Sequence, residues 1–310
     1  MTGTVHLIVS YVRALRPIGW IPAWFALTMG MIDGGFSSLS KVVLALAVFG
    51  PLLLGASYIL NLTADLKLDK TSQIKKDIEM TSQPFSTGLM SSQQGYLVAM
   101  LLTTSGLIAS AVIGPWFLVF ASYSAIIGAV YSLGPRLKSR PFYDLLANVS
   151  TFGTAAYLAG WSVFQTPVGA SIPSVLWVSL LIGATYMLTV LLDTASDRKG
   201  GLTTISTHLG EKKSLRLGFL LYIGSTIFFV LTLYTHLLTL AYWILSPFII
   251  LGVRSYLRLL REPSRVYHVT RVGVISAIFG VTTLIPIYAI LELLGINDEN
   301  IIQVIISVLS

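Results

Sequence analysis

Nine long apolar segments fill most of this sequence and restrict its fold more than any other feature. They lie at about residues 17–33, 41–61, 94–113, 115–133, 143–164, 172–192, 215–235, 237–253 and 271–294. An apolar run of roughly 20 residues has the length that an α-helix needs to cross the hydrocarbon core of a bilayer. The runs lack the period-two alternation that is typical of barrel strands. We therefore predict an all-α, polytopic membrane protein with nine transmembrane helices enclosing a central cavity.

The composition also indicates a membrane environment. Hydrophobic residues make up 55% of the 310-residue chain, charged residues only 11%, and the mean hydropathy is +0.81. A soluble domain has about 25% charged residues. The absence of cysteine excludes disulfides, thiolate metal sites and cysteine nucleophiles. The sequence contains no hydrophilic domain and no signal-peptide pattern, so we expect one membrane-embedded domain over residues 1–310 and no removable signal peptide.

The basic residues predict the orientation. Of the 20 Lys and Arg residues, all but Lys41 fall before the first segment or in the loops that follow the even-numbered segments. Because Lys and Arg collect in cytoplasmic loops, we expect the N-terminus and these loops in the cytoplasm, and the C-terminus outside the cell membrane. The same bias accounts for the net charge of +7 without a nucleic-acid partner. The arginine-rich stretch RSYLRLLREPSR is expected to contact anionic lipid head groups.

Two groups of acidic residues lie at the ends of apolar segments. In YILNLTADLKLDK, Asn61, Asp65 and Asp69 are spaced four residues apart at the end of the second segment, which places them on one helix face. We call them the first acidic stripe. In LLDTASDRKGG, Asp193 and Asp197 repeat the spacing at the end of the sixth segment and form the second acidic stripe. Both stripes fall at the predicted cytoplasmic side.

Three interpretations of the stripes are open. Aspartates at helix ends can simply face interfacial water. In a secondary transporter, carboxylates can bind coupling ions, although these more often lie near the midplane of the membrane. Alternatively, carboxylates that repel one another can share a cation, and oxygen ligands without His or Cys favour Mg2+, which is usually shared with substrate phosphates. Two matched pairs at equivalent helix ends favour a Mg2+ site with both stripes as ligands.

These motifs resemble those of the UbiA-type intramembrane prenyltransferases. That family has an Asn followed by Asp four and eight residues later, as in the first acidic stripe. It has a second Asp pair followed by a basic residue and a glycine, as in DTASDRKGG. Nine helices with both motifs on the cytoplasmic side are also the architecture of the family. The resemblance covers essentially the whole chain, and RPIGWIPAWFALTMG and FGPLLLGASYILN are most similar to the chlorophyll and bacteriochlorophyll synthase branch.

The resemblance implies a Mg2+-dependent enzyme that transfers an isoprenoid chain from a polyprenyl diphosphate, such as geranylgeranyl diphosphate, and releases pyrophosphate. Basic residues would stabilise the departing pyrophosphate, and tyrosine rings would stabilise the allylic cation. The expected catalytic residues are Asp65, Asp193, Tyr131 and Lys138. The residues expected to bind the diphosphate and the prenyl chain are Arg16, Tyr58, Asn61, Lys138, Asn148, Tyr157, Arg198 and Lys199. Ordinary packing is the alternative for each tyrosine, and an interhelical hydrogen bond is the alternative for Asn148.

The sequence also departs from the family pattern. Leu62 stands where many members have a further Asp, and Gln83 precedes Pro84 where an Arg is expected. The loop over residues 70–88 is longer than usual. These departures leave the small or lipid-like acceptor open among a chlorin-type carboxylate, an aromatic quinone precursor and an isoprenyl glycerol phosphate of archaeal ether lipids. An ion-coupled secondary transporter is the alternative from a different class of protein.

Overall fold

The structure, a computed structural model, describes residues 9, 11–69, 85, 90–237, 239–296 and 300–301, and of residues 66–69 it describes the backbone only. Within these residues the regular elements are helices, and no strand occurs. The α-helices are α1 Ile21–Asp33, α2 Leu39–Ala47, α3 Gly55–Asp69, α4 Ser92–Ile113, α5 Pro115–Ser132, α6 Tyr143–Asn148, α7 Ala156–Trp161, α8 Ile172–Lys199, α9 Ile205–Leu209, α10 Glu211–Thr235, α11 Leu240–Arg261 and α12 Val266–Leu294. The all-α fold predicted from the sequence is confirmed. Gln83 and the rest of 70–84 lie outside the described residues.

Seven helical stretches in the described part of the chain are long and apolar enough to cross a membrane. They are Leu39–Asp65, Ser92–Ile113, Pro115–Ser132, Ile172–Lys199, Glu211–Thr235, Leu240–Arg261 and Pro263–Leu294. The first and fifth predicted segments are helical too, but each is interrupted. In the first, a 3-10 turn over Pro17–Trp20 precedes the 13 residues of α1. In the fifth, a π-helical segment, Val149–Ala155, separates α6 from α7. The protein is therefore an integral membrane protein, with seven helical stretches of spanning length and composition where the sequence predicts nine spans.

A second π-helical segment, Val48–Leu54, joins α2 to α3 and contains Pro51. Proline has no backbone N–H, and its ring crowds the carbonyl of the preceding turn, so the helix widens locally. Residues of both π-helical segments, Leu54 in one and Thr151 and Phe152 in the other, line the cavity described below. Both interruptions of regular α-helix therefore adjoin that cavity.

Small residues allow α1 and α7 to pack with their backbones in contact. A Cβ atom built on Gly30 would overlap the carbonyl oxygen of Tyr157, and one built on Gly160 would overlap the carbonyl oxygen of Leu27. Glycine at these two positions is what permits the approach, as in other membrane helix pairs with small residues at the interface. This tight contact fixes α1 against the fifth segment.

The end of the bundle where α1 terminates is closed around one carboxylate. Asp33 accepts hydrogen bonds from the hydroxyls of Tyr157 and Tyr242, each at 2.5 Å to Oδ2. Both tyrosines are completely buried, and the Trp177 ring packs against the Tyr242 ring at 6.1 Å. Asp33, Tyr157 and Tyr242 thus connect the first, fifth and eighth predicted segments, and we call this region the closed end.

Candidate active site

At the opposite end of the bundle, beside the start of α1, lies a cavity of about 740 Å3. Its walls come from the turn before α1, from α3, from α5, from the fifth segment and from α8. Among its lining side chains are Arg16, Tyr58, Asn61, Tyr131, Asn148 and Tyr186. We call it the polar cavity, because charged, amide and hydroxyl groups line it.

Both acidic stripes extend from walls of the polar cavity. Asn61 lines it from α3, and Asp65 lies one turn further along the same helix face. From α8, Thr189 lines the cavity, and Asp193 and Asp197 follow at four and eight residues on the same face. The two stripes therefore continue from two walls of one cavity. The helix α3 ends at Asp69, whose side chain lies outside the described residues.

Two cations hold Asp65. Arg136 donates from Nη2 to Oδ1 at 2.8 Å, and Lys138 forms an ion pair with Oδ2. The Lys138 ammonium also lies 3.5 Å from Oδ1 of Asn61. Lys138 is only 8% exposed, so its charge is largely removed from solvent. A paired lysine and arginine beside a carboxylate form a site where a phosphate group and a divalent cation can bind side by side.

Arg16 approaches the polar cavity from its other side. Its backbone has a φ of 50°, in the left-handed region, directly before the 3-10 turn. Its guanidinium lies over the Tyr58 ring at 5.9 Å from the centroid, and the Tyr58 hydroxyl donates to the carbonyl of Gly19 at 3.1 Å. The face of the Tyr58 ring is thus already positioned against a cation.

Tyr131, Tyr186 and Asn148 form a polar cluster in the wall between α5, α6 and α8. The Tyr131 hydroxyl interacts with the Tyr186 hydroxyl and with the Asn148 side chain. Asn148 donates from Nδ2 to the carbonyl of Asp144 at 2.9 Å. Asn148 therefore lines the cavity; its bond to Asp144 lies within its own helix, and its interaction with Tyr131 is the one that reaches another helix, α5.

The chain that follows the second acidic stripe turns back along the end of α8. The backbone N–H of Leu202 donates to the carbonyl of Asp197 at 2.9 Å. The hydroxyl of Thr204 donates to Oδ2 of Asp197 at 3.3 Å. Thr204 is buried, whereas Asp193 is exposed and Asp197 is half-buried. The returning segment therefore contacts the Asp197 carboxylate from its buried side, through the hydroxyl of Thr204.

The structure brings most of the predicted site residues together, with one clear exception. Tyr157 lies at the closed end, where its hydroxyl is bonded to Asp33 and its ring is fully buried, so it cannot reach the polar cavity. The prediction that Tyr157 contacts the prenyl chain is therefore corrected. Arg198 and Lys199 are exposed at the end of α8, next to the second acidic stripe.

Sequence reasoning missed several residues of the site, among them Arg136, Tyr186 and Thr189. Arg136 was interpreted only as a topology residue, yet it is bonded to Asp65. Tyr186 and Thr189 line the polar cavity from α8. The available signal was helical periodicity, because these two residues lie seven and four positions before Asp193 on the same face.

The donor set fits a hard cation bound together with an anion. In the described part of the chain, no three His, Cys, Asp or Glu side chains form a ready cluster for a metal ion. Mg2+ commonly binds through one or two carboxylates plus water and substrate phosphates. The hydroxyls of Ser132 and Thr151 and the Nε of Arg136 are buried without a hydrogen-bond partner among the described residues. Ser132 and Thr151 line the cavity, so a polar ligand there would satisfy them.

An apolar groove of about 520 Å3 adjoins the polar cavity. Tyr58, Asn148 and Tyr186 line both spaces, and residues of α1, α8, α10, α11 and α12 line the rest of the groove. Leu251 and Val272 line the groove and are half exposed, so it opens on the outer surface of the bundle. A polar space joined to a lipid-facing apolar one fits a ligand with a charged head and a hydrocarbon tail.

Comparisons with known proteins identify a family and a similar fold. The profile of the UbiA prenyltransferase family matches residues 19–284. The chain is 24% identical over 218 residues to the bacteriochlorophyll synthase 34 kDa chain of Chloroflexus aurantiacus, which covers 68% of this chain and 67% of that protein. It is also 24% identical over 222 residues to the digeranylgeranylglyceryl phosphate synthase of Ignicoccus hospitalis, covering 69% and 68%. The structure of a UbiA homolog from Archaeoglobus fulgidus bound to DMAPP and Mg2+ matches with a TM-score of 0.72 and 23% identity, over 89% of this chain and 99% of that one.

Proposed function

The chain belongs to the UbiA prenyltransferase family, and from that premise we propose that it is a Mg2+-dependent enzyme acting on a polyprenyl diphosphate and a hydrophobic acceptor. The isoprenoid chain is transferred to the acceptor and pyrophosphate is released. Family membership favours this function over the ion-coupled transporter that the acidic stripes also allowed. The proposed substrates enter from the surrounding membrane lipid.

One observation carries the proposal, namely that the polar cavity and the apolar groove adjoin. The diphosphate head would occupy the polar cavity, and the prenyl tail would follow the groove toward lipid. The shared wall, with Tyr58, Asn148 and Tyr186, would then surround the first isoprene unit. This arrangement would put the reactive carbon between the acidic stripes and the apolar part of the site.

The residues proposed to hold Mg2+ are Asn61, Asp65, Asp69, Asp193 and Asp197. Bound there, Mg2+ would neutralise the diphosphate and make it a better leaving group. A structure of a relative bound to GPP and Mg2+ supports the assignment of the cation. The oxygen-only donor set of the two stripes is what a hard divalent cation requires.

The protein side chains contribute to bond cleavage through charge and position. The bond between C1 of the prenyl chain and the diphosphate oxygen breaks, and pyrophosphate leaves with the electron pair. Lys138 and Arg136 would bind the departing oxygens beside Asp65, and Arg16 would bind them from the opposite wall. The rings of Tyr58 and Tyr131 would stabilise the allylic cation. The acceptor then bonds to C1, with loss of a proton if its nucleophile is a hydroxyl or a ring carbon.

We further propose that the interrupted first and fifth segments also span the membrane, which gives nine spans in a single domain over residues 1–310. The 3-10 turn and the π-helical segment shorten the regular α-helix in these segments without breaking the helical path. With nine spans, the bias of the basic residues supports an N-terminus and acidic stripes on the cytoplasmic side and a C-terminus outside.

The acceptor class is proposed from the relatives. Similarity to a bacteriochlorophyll synthase chain supports a chlorin-type carboxylate, and similarity to a digeranylgeranylglyceryl phosphate synthase supports an isoprenyl glycerol phosphate. A quinone-precursor ring is the third class.

The test is a transfer assay with purified protein in lipid nanodiscs. Labelled geranylgeranyl diphosphate and Mg2+ are supplied with a chlorin carboxylic acid, a hydroxybenzoate or geranylgeranylglyceryl phosphate, and products and pyrophosphate are measured. We expect transfer to one class of acceptor, which stops on chelation of Mg2+ and in Asp65→Ala and Asp193→Ala. Binding of the diphosphate is measured in parallel, and the proposal fails if no product forms with any acceptor while binding is unaffected by both substitutions.

A further inference from the structure

Asp144 is a buried carboxylate one layer behind the wall of the polar cavity, and none of the roles above uses it. Its side chain is 0% exposed. Oδ1 accepts from the backbone N–H of Leu145 at 2.8 Å. Oδ2 accepts from the backbone N–H of Ile205 at 2.9 Å and from the hydroxyl of Tyr186 at 3.4 Å. The carboxylate therefore connects the start of the fifth segment with α8 and with the first residue of α9.

One arm of this connection leads to the second acidic stripe. Ile205 lies between Thr204, whose hydroxyl donates to Asp197, and Ser206, whose hydroxyl donates to the carbonyl of Val190 at 2.9 Å. The hydrogen bond from Ile205 to Asp144 and the one from Ser206 to Val190 of α8 hold the two residues that directly follow Thr204. Asp144 thus fixes the segment that orients the Asp197 carboxylate.

The other arm leads to the aromatic wall of the cavity. The Tyr186 hydroxyl that donates to Asp144 also interacts with the hydroxyl of Tyr131. A tyrosine side chain has only two rotatable bonds between its backbone and its ring. A hydrogen bond at the hydroxyl restricts rotation about both, and so it holds the ring in one orientation. Asp144 is thereby bonded both to the ring that lines the cavity and to the turn beside Asp197.

We propose that Asp144 is a positioning residue that sets the Asp197 carboxylate and the Tyr131–Tyr186 pair relative to each other. The proposal rests on the proposed function, because it takes Asp197 as a metal ligand. Groups that hold metal ligands in place commonly contribute ten- to a hundredfold to metal affinity. Asp144 is expected to act in this way through Thr204, without touching substrate.

A carboxylate is required at this position, and an amide cannot replace it. The two oxygens of Asp144 accept N–H groups that come from opposite sides, Leu145 on one and Ile205 on the other. An asparagine would point its NH2 group at one of these donors in either orientation, and a buried donor without an acceptor costs free energy. Asp144→Asn therefore disturbs the contact while conserving the side-chain volume.

The test compares Asp144→Asn with Asp33→Asn as a matched control. Like Asp144, Asp33 accepts two hydrogen bonds on Oδ2, here from the hydroxyls of Tyr157 and Tyr242, but it lies at the closed end. Both variants and the wild type are titrated with Mg2+ in the presence of a non-hydrolysable geranylgeranyl diphosphate analogue, by calorimetry and by Mn2+ spin resonance, and their thermal midpoints are recorded. We expect the half-saturating Mg2+ concentration to rise about ten- to a hundredfold in Asp144→Asn and to stay unchanged in Asp33→Asn.

A second pair of variants keeps the proposal testable if Asp144→Asn does not fold. Thr204→Val removes the hydroxyl that contacts Asp197 and keeps the shape, whereas Thr204→Ser retains a hydroxyl. Thr204→Val should raise the half-saturating Mg2+ concentration, and Thr204→Ser should restore it. An unchanged Mg2+ affinity in Asp144→Asn, or in Thr204→Val where Asp144→Asn is unfolded, overturns the positioning role, as does an equal shift in Asp33→Asn. If the wild type itself binds no Mg2+ with the analogue, the proposed function fails first.

Discussion

The two ends of the helix bundle accommodate carboxylates in opposite ways. At the closed end, Asp33 is contacted by neutral hydroxyls from Tyr157 and Tyr242, and its oxygen Oδ1 is shielded from solvent. At the cavity end, Asp65 is contacted by two cations, Arg136 and Lys138, beside an open space of about 740 Å3. The same residue type thus forms a fixed link between helices at one end and part of a charged binding site at the other.

The contrast teaches that an aspartate among apolar helices does not by itself mark a functional site. At the closed end, neutral buried hydroxyls hold Asp33 through Oδ2, while Oδ1 is buried without a hydrogen-bond partner among the described residues. A carboxylate that is paired with cations next to a cavity holds those cations where a bound anion can contact them. Substitutions at the closed end should therefore affect stability, and substitutions at the cavity end should affect catalysis.

The strongest test of this contrast is Asp65→Ala. Removing a proposed metal ligand that also orders two cations should lower kcat/KM on the order of a thousandfold. The free energy of unfolding should change less than at the closed end, because Arg136 is 35% exposed and Lys138 keeps its contact with Asn61 beside the cavity. Transfer of labelled geranylgeranyl chains and thermal unfolding in the same detergent measure both quantities. A stable variant with near-normal kcat/KM would contradict the assignment of the cavity end.

The converse test is Asp33→Ala. The substitution leaves the buried hydroxyls of Tyr157 and Tyr242 without their acceptor, which should cost about 2–4 kcal/mol of unfolding free energy. The activity per folded molecule should stay near that of the wild type. Denaturant titration gives the stability, and active-site titration with a diphosphate analogue gives the folded fraction. Loss of specific activity in the folded fraction would mean that the two ends are not independent.

The sequence predicted the acidic stripes of the cavity end but not the contacts of the closed end. Periodicity and apolar length predicted the helices and both acidic stripes, because spacing along one helix determines which residues share a face. Asp33 sits in a DGG triplet that reads as a helix breaker, and its bonds to residues 124 and 209 positions away depend on tertiary packing. Tyr157 was assigned to the wrong end for the same reason.

Within the site, residues with a local sequence pattern were predicted, and residues that depend on long-range contacts were not. Asn61, Asp65, Asp193 and Asp197 form a repeated pattern that one sequence displays directly. The contact of Arg136 with Asp65 spans 71 positions, and no local pattern encodes it. The π-helical segment Val149–Ala155 contains no proline and gave no sequence signal, so the fifth segment was predicted as an ordinary helix.

A smaller effect should separate the two cations at the cavity end. Lys138 is 9% exposed at its side chain and Arg136 is 35% exposed, so solvent screens the lysine less. Lys138→Met should lower kcat/KM about ten- to a hundredfold, and Arg136→Met should lower it less, mainly through a higher KM for the diphosphate. Steady-state kinetics at low and high salt distinguish them. Equal losses of kcat/KM with equal salt dependence would show that the difference in burial does not determine how much each cation contributes to catalysis.

The smallest effect is expected in the apolar groove, which belongs to the open part of the molecule. Ala277 on α12 lines the groove, and Ala277→Phe should shorten it, shifting the preference from geranylgeranyl toward geranyl diphosphate by about tenfold. Ala289, on the same helix but buried toward the closed end, is the control. Ala289→Phe should lower the thermal midpoint and leave the preference unchanged, because overpacking there strains a filled core. Competition between the two diphosphates measures the preference, and an unchanged ratio in Ala277→Phe would place the tail elsewhere.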